Sequence, residues 1–204
     1  MLPRPAEGPD LERSVTLTDG VVAIAMTLLV LPLVELAPEV DPERLWSFVQ
    51  DHGDLLLSFT VSFLVIYVFW SAHATAFRRA KEAHVEVPAL RRLNLWWLLL
   101  IAFLPFPTAV VGREVNTTTA PVYIGTMFVL SCLTSAMSVV SMRAAGTPGR
   151  ASLPWLTTLV FALCALLSLV NADLGLYGLL LLVVVRVVEV RAHRRATAAP
   201  AKSA

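Results

Sequence analysis

Asp19, His73 and Asn94 are polar side chains set inside long apolar runs, and their types limit the chemistry open to them. Asp19 lies in R-S-V-T-L-T-D-G-V-V-A-I-A-M-T-L-L-V-L-P-L-V-E, residues 13–35, a stretch apolar enough to cross a bilayer. A carboxylate near the centre of a membrane-spanning helix costs roughly 2.5–3.5 kcal/mol, so it marks function or buried pairing. A carboxylate and an imidazole at membrane depth can relay protons, and Asp19 with His73 is the pair a proton-coupled secondary transporter would use. His73 falls in F-W-S-A-H-A-T-A-F, where Trp70, His73 and Phe77 recur at i, i+3 and i+7 and so share a helix face. The same residue serves equally as a packing histidine, because no second His or Cys stands at metal-ligand spacing. No G-x-S-x-G, H-E-x-x-H or paired-carboxylate constellation occurs at membrane depth, which argues against an enzyme and calls for no cofactor.

The elements that must position these groups follow from composition. The chain is 57% hydrophobic and 15% charged, with a mean hydropathy of +0.72, whereas soluble domains average about 25% charged residues. The solvent is therefore a bilayer. A net charge of +1 gives no field for nucleic acid. Six segments, 15–36, 55–77, 93–111, 122–142, 153–170 and 174–190, approach the roughly 20 apolar residues a span requires. Continuous runs of Leu, Val and Ala exclude a transmembrane barrel, so each span is helical. The predicted class is an all-α integral membrane protein with six helices per subunit.

Basic residues collect on the cytoplasmic side of membrane proteins. With both termini inside, 14 of the 16 Lys and Arg lie on that side, and only Arg44 and Arg113 lie outside. This predicts a multi-pass protein of the plasma membrane with cytoplasmic ends. Residues 1–12 lack the basic start and cleavage site of a signal peptide and are expected to form a cytoplasmic N-terminal segment. Residues 13–195 are the transmembrane domain, and 196–204 a disordered cytoplasmic tail. The external connection 35–54 carries Glu35, Glu39, Asp41, Glu43, Asp51 and Asp54 against Arg44, so it attracts cations; an ordinary solvated loop has the same composition. Its segment 42–50 is amphipathic, with Leu45, Trp46 and Phe48 as interfacial anchors. Pro105 and Pro107 are expected to bend the third span. The last three spans, polar only through Ser and Thr, read as scaffold.

At about 100° per residue, Gly20, Ile24, Thr27, Leu28, Leu31 and Glu35 share one stripe of the first helix, while Asp19 points about 140° from Ile24. Several such helices around an axis would stack Ile24, Leu28 and Leu31 as apolar rings below an acidic ring of Glu35, a hydrophobically gated cation path. Plain helix packing produces the same spacing. Arg13 also projects onto the stripe, where an unpaired cation would repel the permeating ion.

The residues Arg13-S-V-T-Leu17-Thr18-Asp19-Gly20 resemble the R-x-x-x-F-S-D-G signature of the transmembrane protein 175 family of potassium channels, with Leu17 for Phe and Thr18 for Ser. V-V-A-I-A-M-T-L-L-V-L after it, W-x-x-H-x-x-x-F in the second span, and L-N-L with L-P-F-P-T in the third extend the resemblance over about half the chain. It implies a homotetramer whose four first helices line one central K⁺ pore without a carbonyl filter. On that resemblance Ile24 is the narrowest point, Leu28 and Leu31 are the next apolar positions outward, and Thr27 is a polar pore layer. Arg13, Asp19, Trp70, His73 and Asn94 would form a network bracing the first three helices. K⁺ sheds hydration water more easily than Na⁺, so a tight pore with few ligands implies moderate K⁺ selectivity.

Overall fold

The computed structural model describes residues 9–83, 88–146 and 153–179, and every regular element among them is helical. The first span comprises α1 (Pro9–Leu28) and α2 (Leu31–Glu35). Two 3-10 turns, Ala37–Glu39 and Pro42–Arg44, and the short α3 (Leu45–Asp51) carry the chain to α4 (Gly53–Glu82). The third span is α5 (Pro88–Phe103) followed by α6 (Pro105–Arg113); α7 (Thr119–Ala144) and α8 (Leu153–Val170) complete the numbered helices. Arg13–Glu39, Gly53–Glu82, Pro88–Arg113 and Thr119–Ala144 are long and apolar enough to cross a bilayer, and α8 is a further apolar helix. Of the sixth expected span, residues 174–179 belong to a helical segment that begins at 172; its remainder, residues 1–8 and the tail 196–204 lie outside the described residues.

Proline explains both interruptions. Pro32 has no N–H to give to Leu28, so the ladder slips at the junction of α1 and α2: Val30 N bonds Thr27 O at 3.3 Å, three residues back rather than four. Val30 stays in the right-handed region (φ −80°, ψ −14°), so the rod continues. The first span is thus not the single unbroken helix that one 100° phase assumes. In the third span Leu104 separates α5 from α6: Pro105 has no N–H to give to Ile101 O, which accepts from Leu104 N at 3.3 Å instead, and Thr108 donates its N–H and its hydroxyl to Leu104 O at 3.2 and 2.8 Å. Leu104 itself keeps helical dihedrals (φ −56°, ψ −33°), so the two segments form one continuous candidate span, Pro88–Arg113.

Lipid is as apolar as leucine, so helices associate in a bilayer through close packing and hydrogen bonds. The centre of the bundle is α7, which packs on α4, α5, α6 and α8. It buries Tyr123, Ile124, Met127, Leu130 and Met137. Its hydroxyls tie the neighbours in. Ser131 and Ser135 meet Thr158 of α8 at 3.0 and 2.8 Å. Tyr123 OH meets Ser62 of α4 at 2.8 Å, and Ser62 meets Thr108 of α6 at 2.9 Å. Thr126 and Ser141 bond back to their own helix. Gly146, at φ +69°, ends α7 in the left-handed conformation that glycine adopts without strain.

Asn171 Oδ1 accepts from Leu174 N at 3.2 Å and starts the segment 172–179 back along α8. A Cβ on Gly175 would sit 2.5 Å from Ser168 Cβ and 2.9 Å from Ser168 Cα. Neither atom can rotate away, so Gly175→Ala is expected to cost about 1–3 kcal/mol by overpacking. The measure is the thermal-aggregation midpoint in detergent, and a midpoint equal to wild type would refute the close approach.

Candidate functional site

The first span has two faces with different surroundings. Thr18, Val22, Ala25 and Leu29, spaced at three to four residues, are all at most 4% exposed and pack against the rest of the chain. On the other side Ile24 is 60% exposed, Leu28 45% and Leu31 49%. Gly20, Thr27 and Glu35 are exposed with them, so the stripe persists across the slip at Val30. The Thr27 hydroxyl donates to Ile24 O at 2.8 Å and is satisfied within its own helix. Among the described residues no atom outside the local helix backbone lies within 4 Å of a Cβ built on Gly20.

The buried face carries the polar chemistry. Asn94 of α5 is its hub: Oδ1 stands 2.7 Å from His73 Nε2 of α4, and Nδ2 donates to Thr18 Oγ1 of α1 at 3.2 Å. Thr18 in turn donates to Ser14 O at 2.8 Å. With Nδ2 as donor, Oδ1 is an acceptor only, so the network assigns the proton facing it to His73 Nε2. The imidazole is stacked on Phe77 at 4.3 Å and on Trp97 at 4.6 Å between centroids. Trp97 Nε1 donates to Thr134 of α7 at 2.9 Å, which anchors the stack to the central helix. Three spans are therefore pinned at one depth by groups that each have a partner.

Asp19, one residue from Thr18, is exposed and accepts from Trp70 Nε1 at 2.8 Å. No hydrogen bond joins Asp19 to His73 among the described residues. Arg13 is exposed and outside this network, with no hydrogen bond or ion pair among the described residues. At the opposite end of the span Glu35 Oε2 meets Arg113 Nη2 at 3.3 Å. Among the described residues no group of three or more His, Cys, Asp and Glu is placed to hold a metal.

Trp97, Thr134 and Arg113 are the participants that sequence reasoning missed. Trp97 follows Asn94 by three residues and so shares its face, a signal that was readable. Arg113 pairs with a residue 78 positions away, which no periodicity encodes.

Residues 13–105 match the family described as the endosomal/lysosomal potassium channel TMEM175. A potassium channel of Streptomyces collinus is 38% identical over 97 residues, 47% of this chain and 45% of that protein, so the chain spans about half the length of the curated relative it matches. The crystal structure of a lysosomal potassium-selective channel TMEM175 homolog from Chamaesiphon minutus shares the fold, with a TM-score of 0.73 at 22% identity over 88% of this chain and 97% of that one. The match of residues 13–105 covers the exposed stripe and the Thr18, Asn94, His73 cluster, and the fold agrees well beyond it. This all-helical, multi-pass membrane protein resembles the TMEM175 family over residues 13–105 and shares its fold beyond them.

Proposed function

We propose that the protein is a moderately selective potassium channel of the plasma membrane, assembled from four copies around a path lined by the first span, with both termini cytoplasmic. The observation that carries this reading is the exposed stripe. Only 17% of the apolar window in Arg13–Glu39 is buried, against 33–61% in the other three spans. Exposure alone suits lipid, but the composition of this face does not. The outward faces of the third span and α8 are apolar, with Leu95, Leu99, Phe103 and Phe106 on one and Leu159, Leu163 and Leu166 on the other. The stripe instead holds a glycine, a threonine and a terminal carboxylate. Gly20 costs about 1 kcal/mol against Ala in a helix and meets no steric need among the described residues, which supports a close approach by a second copy at this point.

In this assembly Ile24, Leu28 and Leu31 form rings that dewet when closed, Thr27 offers an oxygen between them, and Glu35 faces the outer solution. The polar cluster on the buried face holds each helix at a fixed rotation. A proton relay is not favoured, because Asp19 bonds Trp70 and His73 bonds Asn94, with no hydrogen bond between Asp19 and His73 among the described residues. The test is K⁺ flux from proteoliposomes with planar-bilayer recording. Expected are unitary K⁺ steps and flux independent of a pH gradient; flux that requires a pH gradient and lacks steps would overturn the channel.

A further inference from the structure

We infer that Arg113 is the counter-ion that sets the ion preference of the outer mouth, withholding Glu35 from divalent cations. The inference rests on the assembly in the channel reading, which would bring several Glu35 residues together; the Arg113–Glu35 contact itself lies within one chain. Glu35 closes α2 four residues after Leu31, so it shares that residue's face at the end of the apolar stripe, and it is exposed with it. Arg113 is the last residue of α6, and its position is fixed from behind. A Cβ on Gly112 would lie 2.5 Å from Ser58 Oγ and 2.7 Å from Leu55 Cδ1, so the end of α6 is seated directly on α4. A cation in the last turn of a helix also interacts favourably with the free carbonyls there.

The pair is formed but accessible. Arg113 Nη2 and Glu35 Oε2 are 3.3 Å apart, with the side chains 71% and 56% exposed. The surroundings are acidic: Glu39, Asp41, Glu43, Asp51, Asp54 and Glu114 are all exposed, with Arg44 as another cation. This field concentrates cations of any valence. Hard divalent ions bind where several carboxylate oxygens converge, and bare Glu35 residues from several copies would be such a place. A guanidinium on each Glu35 removes that convergence. K⁺ needs no such ligand set, so it is still drawn in by the acidic connection.

The test is equilibrium dialysis of detergent-purified full chain against Mn²⁺, a readout that does not require conduction. Arg113→Gln is expected to bind Mn²⁺ about tenfold more tightly than wild type. Glu35→Gln/Arg113→Gln is expected to return to the wild-type affinity. Equal binding by all three proteins would sink the inference, as would tighter binding by Arg113→Gln that persists in the double variant. In bilayers the same substitution is expected to sensitise K⁺ current to Mg²⁺ added on the Glu35 side. Absence of any wild-type current would count against the channel reading and leave the dialysis result to decide the pairing.

Discussion

Ile24→Asn is expected to raise unitary K⁺ conductance by about tenfold or more and to flatten the preference for K⁺ over Na⁺. A ring of isoleucine repels water, so an ion crossing it must shed part of its hydration shell without replacement ligands. Amide oxygens supply those ligands and keep the constriction wet. Every 1.4 kcal/mol removed from the barrier is roughly a factor of ten in rate. Sodium, which loses water less easily, gains more from this change than potassium, so the reversal potential under bi-ionic conditions should move toward zero. Ile24 is 60% exposed in the subunit, so the thermal midpoint should be unchanged. Unaltered conductance together with unaltered selectivity removes Ile24 from the pore.

The second large effect lies on the opposite face. Asn94→Leu keeps the volume but removes both hydrogen bonds at the hub, leaving His73 Nε2 buried beside a methyl group. Interhelical hydrogen bonds in membranes average only about 0.6 kcal/mol, but a buried polar group with no partner costs about 1–3 kcal/mol. Thr18 still has Ser14 O as acceptor, so the penalty concentrates on His73. Adding His73→Phe removes the stranded group and leaves an aromatic ring to stack on Phe77 and Trp97. The double variant is therefore expected to recover most of the thermal stability that Asn94→Leu loses. A double variant as unstable as the single one would mean that the network acts through shape rather than through hydrogen bonding.

The apolar spans were readable because the bilayer leaves the backbone one solution, and length with composition then locates them. The two faces of the first helix were readable for a similar reason: Ile24, Leu28 and Leu31 recur at helical spacing, and helical spacing survives folding. Which of the two faces packs against the rest of the chain was not readable from periodicity, because both are apolar and bilayers give no preference between lipid and protein for a leucine; only the resemblance assigned it. The partners of Asn94 needed the resemblance, since three helices must first be brought to one depth. The slip at Val30 was written in Pro32 but hidden by treating residues 13–35 as one phase. Arg113 reached Glu35 only through the packing of α6 on α4 at Gly112, a contact between segments that are distant in the chain.

The division of α1 into a packed face and an open face has a consequence for how the sequence can change over generations. Val22, Ala25 and Leu29 answer to the fold of the single chain, while Ile24, Leu28 and Leu31 lose little within it when exchanged for residues of similar size. Variants along the open face can therefore be sampled without first spending folding stability, which is the usual barrier to functional change. The helix that carries conduction in the proposed assembly is also the one on which permeation traits can drift, one side chain at a time, at the smallest risk to the scaffold.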